Sequence, residues 1–204
     1  MSISGFQAEI VSMLSGNRTA RSFFSGSLVL DRYLMRPIGD LDIHCVAEED
    51  YISALYADLD ALLKADIHAV GRRRHDGETE ITLQRGKDST AVNWVVSGKP
   101  RLAAPVTDKV LGWRVTVGDA VLEKLMMARL KDKDKHFDDL AMCVNAGICE
   151  HDLIFVAASC QSSTMVLDLA RGLIGEIIQS RKLEKTAVAM LNAASVSQLQ
   201  SYSA

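Results

Sequence analysis

The sequence predicts an α+β protein, with a β-sheet flanked by helices in its first half and a C-terminal helical bundle in its second. Three observations predict it. β-Rich runs at residues 67–74, 78–85 and 90–97 are separated by His75-Asp76-Gly77 and Gly86-Lys87-Asp88, both with turn chemistry, so they read as a meander. Glu48–Lys64 carries a 3.6-residue apolar period, with Ile52, Leu55, Leu59, Leu62 and Leu63 on the expected inner side. Beyond Val117 the chain is rich in Ala, Leu, Met and Gln and poor in turn signals, which predicts helices over 119–146 and 153–199.

The remaining elements follow in order. Phe6, Ile10, Val11, Met13 and Leu14 fit a first amphipathic helix that stops at Ser15-Gly16-Asn17. A short strand is expected at 21–24, then a small-residue turn at Ser25-Gly26-Ser27. A brief helix from Leu28 would end near Arg36-Pro37, before a strand over 40–46. The stretch 98–113, with Pro100 and Pro105, is the best linker, giving an α/β domain over 1–107 and a helical domain over 108–204.

Composition narrows the function classes. Of 204 residues, 48% are hydrophobic and 24% charged, the balance of a globular chain. No apolar run is long enough to span a bilayer, and the first residues lack signal-peptide sections. The expectation is a cytoplasmic protein with no membrane partner. Cys45, Cys143, Cys149 and Cys160 form no CxxC pair and read as reduced, mostly buried thiols. A net charge of -3 argues against a general nucleic-acid coat but leaves room for a local basic cleft.

The residues that carry chemistry are Gly26-Ser27, Arg36 and Asp40-Leu41-Asp42. On a strand, positions two apart share a face, so Asp40 and Asp42 would present adjacent carboxylates. Their repulsion calls for a cation between them, and hard oxygen ligands suit Mg²⁺ with substrate phosphates completing its shell. The Gly26-Ser27 turn could offer backbone N–H groups and a hydroxyl to those phosphates. These parts fit nucleotidyl transfer from an NTP.

The segment from Gly26 through Arg36, Ile38, Asp40, Leu41 and Asp42 resembles the first motif of minimal nucleotidyltransferases of the polymerase-β superfamily, most closely the AbiEii type, the toxin half of a toxin–antitoxin pair. Leu122-Glu123-Lys124-Leu125 and Lys135-His136-Phe137-Asp138-Asp139-Leu140 are similar to that family's later lysine helix and Arg-Asp-x-x-Asp-Leu segment. The resemblance implies a nucleotidyltransferase-like mixed β-sheet and transfer of an NMP to a hydroxyl of RNA, such as tRNA, or of protein, with an antitoxin as partner. It implies that Gly26 and Ser27 bind phosphates beside Arg36, that Asp40 and Asp42 bind Mg²⁺, that Lys124 contacts the nucleotide, and that Asp139 positions Lys124 or a neighbouring base.

Two positions depart from the family pattern. Asn93, in Val92-Asn93-Trp94, stands where a third acid is expected, and His136 stands where relatives carry an Asp. An Asn can ligate metal through its carbonyl oxygen but cannot accept a hydroxyl proton, a role that could fall to Glu80. The alternative is therefore a catalytically impaired member that binds a nucleotide or a partner. Lys131, two turns beyond Lys124, is a further nucleotide-binding candidate if the helix is continuous. Arg72-Arg73-Arg74 with His75 could hold phosphates of an RNA or nucleotide, or form a solvated turn. His44 shares the face of the Asp pair and reads as a cleft-wall histidine.

Overall fold

Residues 3–97, 101, 103–127 and 133–146 are described by the structure, a computed structural model. The chain divides into two compact units, Met1–Lys99 with Ala103–Thr116, and Pro100–Leu102 with Val117–Ala204.

In the first unit, Ser4 starts helix α1 (Gly5–Ser15). The Ser4 hydroxyl accepts from the Gln7 backbone N–H at 3.1 Å, and the Gln7 side-chain oxygen accepts from the Ser4 N–H at 2.9 Å, so two of the open donors at this helix start are met reciprocally. The other end of the Gln7 side chain donates to Ile38 O and Thr90 Oγ1, tying α1 to the approach of the next strands. Strand β1 (Ser22–Ser25) runs directly into one helical turn, α2 (Gly26–Val29), and a 3₁₀ turn follows at Asp31–Tyr33. The expected turn at Ser25-Gly26-Ser27 is thus the start of the helix itself. Strand β2 (Asp40–Cys45) and helix α3 (Glu48–Lys64) come next, then β3 (His68–His75), β4 (Glu78–Arg85) and β5 (Asp88–Val96).

The meander is present, and it belongs to a seven-stranded sheet of order β3-β4-β5-β2-β1-β7-β6. Its two far strands, β6 (Val106–Asp108) and β7 (Gly112–Arg114), lie in the stretch expected to be a linker. Three-residue strands carry no readable alternation. β7 joins the sheet by pairing in parallel with β1, a contact local sequence does not display. β2 pairs in parallel with β5 and antiparallel with β1, so the sheet is mixed.

Helices α1 and α3 pack against one face of this sheet, where Leu41, Ile43, Ile81, Leu83, Val92 and Trp94 are buried. The inner side of α3 differs from the expectation. Tyr51, Ala54, Leu55, Asp58 and Leu62 are buried, whereas Ile52 and Leu63 are exposed. The apolar stripe is rotated because Asp58 faces the core. There its carboxylate is paired with Arg18 and accepts from Asn17 Nδ2 at 3.0 Å and Trp94 Nε1 at 2.8 Å. A buried charge is tolerable when paired and hydrogen-bonded on this scale.

In the second unit, α4 (Val117–Met127) and α5 (Lys133–Asn145) pack together. The helices expected over 153–199 lie outside the described residues, as do Cys149 and Cys160. Cys45 and Cys143 are buried and form no disulfide among the described residues. Among the described residues, no helix is long and apolar enough to cross a membrane.

Candidate functional site

Alternation along β2 puts Asp40, Asp42 and His44 on the face opposite α1 and α3, since Leu41, Ile43 and Cys45 fill the helix side. The sheet register extends that face in rows. Ser25 lies opposite Asp42, Asp42 beside Asn93, Asn93 opposite Glu80, and Glu80 opposite Arg73. Directly paired residues project to the same side, so this row presents a hydroxyl, a carboxylate, an amide, a second carboxylate and a guanidinium in order.

Gly26 has φ +64°, and a Cβ built on it would stand 2.0 Å from Asp42 Oδ2. Any side chain at position 26 would therefore collide with the Asp42 carboxylate as well as adopting a left-handed backbone. The glycine is what lets the start of α2 close on the acid. Next to it, Ser27 is buried, and its hydroxyl accepts from Arg36 Nη2 at 3.1 Å, while Arg36 Nη1 donates to Pro37 O at 2.9 Å. Hydroxyl and guanidinium thus form one polar unit on the chain that leads into β2.

Asn93 stands between the two acids. Its Nδ2 donates to Asp42 Oδ1 at 3.1 Å and, at a longer 3.4 Å, to Asp40 Oδ2. The residue is 7% exposed, and its Oδ1 is buried with no hydrogen-bond partner among the described residues. A buried, unsatisfied carbonyl oxygen costs about 1 to 3 kcal/mol, so its placement needs a reason. Among the described residues, no group of three or more His, Cys, Asp and Glu side chains is arranged to hold a metal ion. The donor set is instead two carboxylates and one amide. A half-turn of the amide would replace its NH₂ by Oδ1 at the same position, giving three hard oxygens of the kind Mg²⁺ takes. The residues fit a divalent cation on this ground.

In the second unit, Lys124 and Asp139 are both buried, with Nζ 3.1 Å from Oδ2. The pair joins α4 to α5. His136 is buried on the same helix as Asp139. Lys131 lies outside the described residues. Sequence reasoning did not assign Ser25, which the register places opposite Asp42, because its position rests on strand pairing that the local sequence leaves open.

No known family model matches the chain, and no curated protein matches it by sequence. Among solved structures, the chain is similar to the crystal structure of a candidate nucleotidyltransferase from H. pylori, with a TM-score of 0.55 at 16% identity, covering 93% of this chain and 84% of that one. At that identity the likeness speaks to architecture. The chain has a nucleotidyltransferase-like fold.

Proposed function

We propose that the protein is a Mg²⁺-dependent nucleotidyltransferase that moves an NMP from an NTP to a hydroxyl of RNA, such as tRNA, or of protein. The single observation that carries this reading is the Asp40–Asp42 pair, closed on one side by Gly26 and bridged on the other by the amide of Asn93, whose Oδ1 is left unsatisfied. Asp40, Asp42 and Asn93 Oδ1 would hold the cation. When bound, Mg²⁺ supplies the positive charge that offsets the triphosphate and the developing charge of in-line displacement. Ser27 and Arg36 would bind and orient the phosphates, and Gly26 keeps that turn against Asp42. Asp139 holds Lys124 within the second unit, which supports a positioning role for the acid. The phosphate contact of Lys124 rests on the family resemblance, as does the role of toxin with an antitoxin partner.

A second reading is favoured by one specific observation. Asn93 already bridges both carboxylates, as it would in a protein that keeps the fold to bind a nucleotide or partner without turnover. The two readings separate in one experiment. The chain is incubated with Mg²⁺, each α-labelled NTP, and RNA or protein acceptors, beside Asp40→Ala and Asp42→Ala. Label transferred by the unmodified chain and reduced at least 100-fold in both variants supports transfer. Mg²⁺-dependent NTP binding without transfer supports the second reading, and label that survives both substitutions overturns the site.

A further inference from the structure

Strand β3 is an edge of the sheet, and all eight of its residues are exposed on both faces. It carries Arg72, Arg73 and Arg74 in succession, with His75 following. Four other arginines of the first unit are paired with acids: Arg18 with Asp58, Arg21 with Asp50, Arg85 with Glu9 and Arg114 with Asp108. Arg72 and Arg74, by contrast, have no acidic partner among the described residues. Arg73 meets Glu80 only at 3.7 Å, with its side chain 79% exposed. An acidic chain of net charge -3 thus carries three successive, weakly neutralised arginines on one sheet edge.

The register says where that edge points. Arg73 lies in the same row and on the same face as Asp42, separated from it by β4 and β5. Three interstrand steps amount to about 14 Å. At about 3.4 Å per stacked nucleotide, this distance is spanned by roughly four nucleotides. A charged edge also discourages pairing with foreign strands, but that role needs no common face with the Asp pair.

We propose that β3 docks the phosphodiester backbone of a single-stranded RNA whose terminal hydroxyl reaches the Asp40–Asp42 site. The inference rests on the transferase reading above and narrows its acceptor to RNA. Arg73 takes the phosphate on the site face, while Arg72 and Arg74 take phosphates on the other face of the strand. Arg73 also offsets Glu80, the carboxylate the strand would pass.

The test measures anisotropy of 5′-labelled single-stranded RNA with the full-length chain across salt concentrations. It compares the unmodified protein with R72Q/R73Q/R74Q and R72K/R73K/R74K, and Mg²⁺–NTP binding is measured in parallel. The Gln triple variant is expected to bind RNA roughly tenfold more weakly, with a salt slope shallower by about 2, the contribution of three phosphates at about 0.7 each. The Lys triple variant should stay within about threefold of the unmodified chain, and NTP binding should be unchanged in both. RNA affinity and slope that ignore the Gln substitutions overturn the docking edge, even where transfer to RNA is observed. So does an unmodified chain that binds an acidic peptide and no RNA. Arginine-dependent RNA binding without any transfer keeps the docking edge and removes the transferase reading.

Discussion

Asn93 decides how the two acids coexist. With its NH₂ turned toward Asp40 and Asp42, the amide offsets their mutual repulsion in the absence of a cation. Replacing it by a carboxylate has opposite consequences in the two states. Without metal, Asn93→Asp removes hydrogen bonds to charged groups, worth about 1.5 to 3 kcal/mol each, and adds a third negative charge to the cluster. With Mg²⁺, it supplies an anionic ligand that needs no rotation. The variant should melt several degrees lower than the parent in EDTA, at about 2 to 4 °C per kcal/mol. It should bind Mg²⁺ at least tenfold more tightly by calorimetric titration. Equal Mg²⁺ affinity in parent and variant would show that position 93 does not face the cation. The sequence shows this residue as a departure from a motif. What it does not show is the amide's orientation, which depends on β5 lying beside β2.

At the scale of the element, helix α3 shows where sequence reading succeeds and where it stops. Its bounds, Glu48–Lys64, were legible because periodicity and an acidic first turn are local properties. Its buried face was not, since counting apolar residues places Ile52 and Leu63 inward and cannot anticipate that Arg18 waits in the core for Asp58. Removing one partner leaves the other charge buried and alone. Asp58→Ala should therefore cost about 3 to 5 kcal/mol in urea unfolding, while Arg18→Met/Asp58→Leu should be more stable than either single change. A double variant as weak as the sum of the singles would mean that the pair is not coupled. The start of α3 carries a milder, pH-dependent contribution. Asp50 accepts from the Ala47 N–H and is bonded to Arg21 at 2.7 Å, and the Arg21 hydrogen bond is the chief cause holding its carboxyl below the ordinary 3.8. A folded-state pKa below the unfolded one stabilises above the unfolded value and is lost as pH falls through the folded value. The acid limb of the unfolding profile below about pH 4 should flatten in Asp50→Asn, and an unchanged limb would assign acid sensitivity to other carboxylates.

For the whole molecule, the order β3-β4-β5-β2-β1-β7-β6 turns dispersed residues into a site. Gly26, Asp42, Asn93 and Glu80 come from different strands or their ends, and the register aligns Asp42, Asn93 and Glu80 in one row. The sequence indicated the chemistry through spacing within β2. It left unread the strands that sequence distance hides, among them β7 against β1, because long-range pairing is settled by the sheet as a whole and not by any one segment. A ligand that engages such a composite site binds only the folded chain, so its affinity appears as global stability. At 100 times its dissociation constant, Mg²⁺–NTP should add about 2.7 kcal/mol, raising the melting temperature of this 204-residue chain by about 5 to 10 °C. Asp42→Ala should abolish the shift, because Asp42 would hold the cation that offsets the triphosphate charge, and NTP in EDTA should produce little of it. A shift that persists in Asp42→Ala and without Mg²⁺ would place nucleotide binding away from the row of β2, β5 and β4.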